Sequence, residues 1–143
     1  TLKPYIDQHY RTRPDRLNTG IAGSSMGGLI SLYAALKYPA VFGRVGVFSP
    51  AFWFSPRNFA YARAAGPPRP GTRIYMVTGA NEGDEPEVYV RDHLAMADTL
   101  AAAGFRRGTE VVEHVRPEGT HSEGFWRREF AAAYQWLFAG TRN

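Results

Sequence analysis

Gly23-Ser24-Ser25-Met26-Gly27 fits the pattern G-x-S-x-G in one register only, with Ser25 at its centre and Gly28 directly after it. That spacing suits a nucleophilic serine on a tight strand-to-helix turn. The small flanking residues let the backbone fold closely, and the following helix aims its N-terminus at a developing oxyanion. Such a serine needs a base and an orienting acid, expected in the chain order serine, acid, histidine. Of the four histidines, His9 and His93 fall within predicted helices, and His114 falls within a predicted strand beside Glu113. All three read as surface or structural side chains. His121 lies in Pro117-Glu118-Gly119-Thr120-His121-Ser122, a turn-rich stretch between the last predicted strand and the last predicted helix. A loop there lets an imidazole swing toward the elbow, which makes His121 the candidate base. The acid is sought in Gly79-Ala80-Asn81-Glu82-Gly83-Asp84-Glu85. Glu82 comes first after the preceding strand and reaches back most directly. Asp84 is the alternative, and Glu85 reads as the start of a helix, where acids favour the positive dipole end.

The elements that must position these groups alternate along the chain. Residues 2–11 place Leu2, Tyr5, Ile6 and Tyr10 on one helical face. Residues 19–23 read as a short strand, and residues 26–38 as a largely buried helix stopped by Pro39. Residues 44–49, 73–78 and 109–115 read as further strands, and residues 86–103 and 123–138 as amphipathic helices. The segment AAGPPRPG at 64–71 is a proline-rich surface connection. Strand–helix alternation implies a parallel sheet covered by helices, and uncharged strands such as IYMV suit a sheet buried on both faces.

The chain has 143 residues, 44% of them hydrophobic, which fits one domain with a packed core. No apolar run approaches the roughly 18 residues that cross a bilayer. The expectation is a soluble protein that binds no membrane, its compartment open with the cytoplasm favoured. With no cysteine, disulfides, thiolate metal sites and thiol catalysis are excluded. No His, Asp and Glu cluster has metal-ligand spacing, so neither metal nor cofactor is expected. The net charge of +4 comes from 17 basic and 13 acidic residues. Lys3 and Lys37 are the only lysines. The arginines are scattered rather than gathered into a patch with aromatics between, and read as solvated surface charge rather than a nucleic-acid site.

With these residues in hand, the chain resembles the C-terminal half of the Putative esterase family of α/β-hydrolases, which includes esterase D-like, siderophore and feruloyl esterases and the mycolyltransferase antigens. The resemblance is carried by AGSSMGGLISLYAALKYPAVFG at 22–43, FSPAFWF at 48–54, VTGANE at 77–82 and GTHSEGFW at 119–126. It implies an α/β-hydrolase-type, mainly parallel sheet with flanking helices that lacks the N-terminal strands. Residues 1–143 would then be the C-terminal part of such a domain. It further implies Ser25 as nucleophile, His121 as base, Glu82 as acid and the Met26 N–H as an oxyanion donor. The expected substrate is a small-molecule ester, cleaved through an acyl-enzyme. Phe52, Trp53 and Phe54, following the second strand, are candidate walls of its pocket, with core or lid as the other reading. Trp126 divides in the same way between pocket wall and packing of the last helix.

Family members run roughly twice this length. The expectation is therefore a fragment, a truncated product, or a subunit completed by another copy or a separate N-terminal half, with an exposed sheet edge inviting association. Two rivals follow. One is acyl transfer by the same triad, and the other is a non-catalytic fold serving binding or assembly.

Overall fold

The computed structural model describes residues 2–140. Its elements run α1 (Leu2–His9), β1 (Gly20–Ser24), α2 (Met26–Lys37), β2 (Arg44–Phe48), α3 (Arg57–Ala64), β3 (Arg73–Asn81), α4 (Pro86–Ala102), β4 (Val111–Thr120) and α5 (Glu123–Phe138). Short 3-10 turns occupy Arg16–Asn18 and Phe52–Phe54. The four strands form one sheet in the order β1-β2-β3-β4, every pairing parallel. Because the strands share a direction, the residues that follow them collect along one edge of the sheet. Candidate site residues follow β1, β2 and β4, and Glu82 follows β3.

Alternation along the strands builds two cores. On one face Val45, Val47, Ile74, Met76 and Val111 pack with Leu32, Ala35, Met96 and Leu100 from α2 and α4. On the other, Phe48, Tyr75 and Val77 pack against Phe125, Ala133 and Leu137 of α5. β2 is buried at every residue, as expected for an inner strand covered on both faces. Among the described residues β1, an outer strand, pairs only with β2, and none of its own residues is buried.

Several elements depart from the sequence expectation. β3 runs to Asn81 rather than Thr78, and β4 runs through Thr120 rather than stopping at Val115. Pro117 and Gly119, which mark a turn in the sequence, are held within β4. It is an outer strand, and its pairing with β3 shifts register between Gly79 and Asn81, a setting in which sheets tolerate such residues. Nothing in the periodicity signalled α3. The apolar face of α1 buries no residue, with Leu2, Tyr5 and Tyr10 all exposed. α2 is covered on one side only, leaving Met26 and Ile30 open. Arg44 is no surface charge: it is 4% exposed, donates to the Gly43 carbonyl at 3.0 Å and to that of Gly71, and sits over the Phe138 ring.

Candidate active site

Ser25 sits between β1 and α2 with φ 56° and ψ −121°, a conformation that L-residues rarely adopt. The crowding that enforces this turn is local. A Cβ on Gly23 would lie 2.5 Å from the Gly27 carbonyl, whereas one on Gly27 would meet nothing within 4 Å. Ser25 occupies the N-cap position of α2, yet its hydroxyl makes no capping bond. A serine there ordinarily spends its oxygen on a helix N–H, so this hydroxyl is left for other partners. Met26 is the first residue of α2, and its N–H is among those that a helix leaves without an internal acceptor.

Glu82 and His121 meet. The Glu82 side chain is fully buried, and its Oε2 lies 2.9 Å from His121 Nδ1. Its other oxygen, Oε1, accepts from the Gly79 N–H at 2.5 Å, the Ser49 hydroxyl at 2.5 Å and the Thr78 hydroxyl at 3.1 Å. Three donors on one oxygen hold the carboxylate in a single orientation and leave the second oxygen to the imidazole. The ring of His121 is flanked by Trp126, edge to face at 5.1 Å, and by Tyr89 at 5.3 Å. Asp84 and Glu85 are both exposed.

The meeting depends on a close approach of backbones. A Cβ on Gly79 would stand 2.2 Å from the Gly119 carbonyl oxygen, and one on Gly119 would stand 2.6 Å from Gly79 Cα. Only paired glycines let the ends of β3 and β4 close, which sets Asn81 opposite Thr120 and His121 one residue past the strand. His121 is thus carried by a strand end and not by a free loop.

Ser25 lies at the same sheet edge, but among the described residues no hydrogen bond joins its hydroxyl to His121. Such bonds often tighten only with substrate in place. Phe52 is core, 1% exposed, while Trp53 and Phe54 are 51% and 61% exposed, with their rings edge to face at 6.2 Å. His9 is exposed and His114 packs on Tyr75 at 5.0 Å. Among the described residues neither ring nitrogen of the fully buried His93 has a hydrogen-bond partner, and burial, helped by nearby His114, pushes its pKa down to about 3. Ser49 is the residue that the sequence reading missed. Its signal lay in the resemblance segment at 48–54, but nothing in residue type alone separated it from other serines. Among the described residues no group of His, Asp and Glu is arranged to hold a metal ion, and no helix is long and apolar enough to cross a membrane.

Residues 1–137 match the model of the family described as Putative esterase. An uncharacterized protein of Bacillus subtilis, YbbA, is 29% identical over 98% of this chain and 57% of its own length. The iron(III) enterobactin esterase of Dickeya dadantii is 29% identical over 97% of this chain and 32% of its own. Among solved structures, the enterobactin esterase of Shigella flexneri, crystallised in the presence of enterobactin, superposes with a TM-score of 0.81 at 23% identity. It covers 99% of this chain and 35% of its own. That likeness fixes the α/β-hydrolase fold. The chain spans little more than half the length of the first of these relatives, and about a third of the other two.

Proposed function

The chain belongs to the Putative esterase family, and on that premise we propose that it is a serine hydrolase cleaving carboxylic esters through Ser25, His121 and Glu82. The observation that carries the reading is the buried Glu82–His121 hydrogen bond, formed at the sheet edge where the strained Ser25 turn also lies. Ser25 Oγ attacks the ester carbonyl and gives its proton to His121 Nε2. Glu82, bonded to Nδ1–H, keeps the ring in the tautomer that can accept there and stabilises the imidazolium. The Met26 N–H donates to the tetrahedral oxyanion, a contact whose loss typically costs about 10²- to 10³-fold in rate. His121 returns the proton to the departing alkoxide, so an alcohol leaves and an acyl-serine remains. Water then attacks this ester, passing one proton to His121, and the collapse releases a carboxylic acid while His121 returns that proton to Ser25 Oγ.

Trp53 and Phe54, exposed on the turn after β2, are the walls we assign to the acyl or alcohol portion. The names of the relatives direct the choice of substrate. The Dickeya enzyme is named for iron(III) enterobactin, and another relative for xylan and feruloyl ester cleavage. The test is hydrolysis of a panel holding a short-chain aryl ester, a feruloyl ester and a catecholate siderophore ester, with Ser25→Ala as control. Turnover of at least one ester, lost in the variant, is the expected result. A folded chain that turns over none, or a variant that matches the parent, overturns the reading. Added alcohols that divert the acyl group would show transfer in place of hydrolysis.

A further inference from the structure

We propose that Ser49, fixed by the indole of Trp126, is a positioning residue that orients Glu82 and so keeps the proton of His121 on Nδ1. This rests on Glu82 and His121 being the acid and base assigned above.

Ser49 follows β2 with φ 43° and is fully buried. Among the described residues, it and Ser25 are the only non-glycine residues at positive φ. Glycine would adopt that backbone at no steric cost, so a serine here points to a use for the side chain. The geometry shows the use. Trp126 Nε1 lies 2.8 Å from Ser49 Oγ, which in turn lies 2.5 Å from Glu82 Oε1. An indole N–H can only donate, so the Ser49 oxygen accepts from Trp126. Its single proton is then directed to Glu82, whose Oε1 already accepts from Gly79 N–H. Hydrogen-bond direction is therefore determined along the chain Trp126 to Ser49 to Glu82. Glu82 meets His121 through its remaining oxygen, and only a proton on Nδ1 satisfies a carboxylate there. Trp126 also packs its ring edge to face on His121, so one side chain of α5 holds both ends of the acid–base pair.

Nitrogen-15 NMR of the histidine side chains, recorded at alkaline pH where imidazole is neutral, reads the tautomer without requiring turnover. The unmodified chain should show His121 as the Nδ1–H tautomer alone. Ser49→Ala should add the Nε2–H form to about a tenth or more of the population. It should also slow fluorophosphonate labelling of Ser25 by about 10- to 100-fold. Trp126→Phe, which keeps an aromatic ring but removes the donor, should move both readouts the same way by less, and it carries the test if Ser49→Ala does not fold. In a Glu82→Gln background, Ser49→Ala should slow labelling no further, because the carboxylate it positions is gone. A single Nδ1–H tautomer and unchanged labelling in both folded variants would overturn the role of Ser49. If His121 of the unmodified chain carries its proton on Nε2, the assignment of the acid–base pair itself fails.

Discussion

Two serines directly follow neighbouring strands in this protein and share a positive φ. Ser25 follows β1 at φ 56° and Ser49 follows β2 at φ 43°. Ser24 and Phe48 are register partners, so the two serines occupy equivalent places one strand apart. Each also extends the parallel ladder by one bond: Ser25 N–H donates to Phe48 C=O at 2.9 Å, and Ser49 N–H to Val77 C=O at 2.7 Å. Their surroundings differ. β1 is an outer strand and its serine is half-buried, and although that serine opens a helix its hydroxyl caps nothing. β2 is an inner strand, and its serine is sealed between Trp126 and Glu82 with both hydrogen-bonding roles filled. A positive-φ corner thus leaves the Ser25 hydroxyl without a capping bond and commits the Ser49 hydroxyl to Glu82. Partners, not residue type or the sign of φ, separate the two.

The largest effect should come from removing one hydroxyl and then the other. Ser25→Ala should lower ester hydrolysis by at least about 10⁴-fold, while Ser49→Ala should leave measurable turnover with KM little changed. Steady-state kinetics on both variants checks this, and equal losses would erase the contrast. Next in size is the glycine contact behind Glu82. Gly79→Ala drives a methyl against the Gly119 backbone, and should cost about 3 kcal/mol or more of stability along with the His121–Glu82 contact. Urea unfolding measures the first, and the histidine spectrum the second.

The next effect is spread over several pH units and concerns His93, a buried histidine outside the proposed mechanism. Its ordinary value of 6.5 falls to about 3 because burial disfavours the charged ring. The unfolded chain takes up that proton near its ordinary value and the folded chain does not. Stability should therefore fall as pH drops below about 6.5, by up to about 1.4 kcal/mol per unit from this group, until the folded state also protonates. His93→Leu should flatten that slope in denaturation curves collected across acidic pH. The smallest effect belongs to Gly27, the open one of the two elbow glycines. Gly27→Ala should keep labelling at Ser25 and gain up to about 1 kcal/mol from helix propensity. Gly23→Ala, facing the Gly27 backbone at 2.5 Å, should lose both stability and labelling.

Much of this was legible in residue types. The elbow and the sheet with helices on both faces follow from spacing and strand composition, whereas chain order put Glu82 first with Asp84 still open, and the family resemblance singled Glu82 out. What escaped was long-range. The extension of β4 through Pro117 and Gly119 depends on a register shift against β3, which no local pattern reports. The sequence spreads attention evenly over the elbow glycines, yet only contact distances show Gly23 crowded and Gly27 open. Ser49 was invisible because its partners lie 33 and 77 residues away in the chain. The amphipathic pattern of α1 was real but found no core to face, since periodicity predicts a helix and not what covers it.

Intact-mass analysis after fluorophosphonate treatment asks whether Ser25 is an activated nucleophile served by His121 and Glu82. One covalent adduct is expected on the unmodified chain, none on Ser25→Ala, and strongly slowed formation on His121→Ala. An adduct that persists in Ser25→Ala, or a folded chain that takes up none, would contradict that role for Ser25.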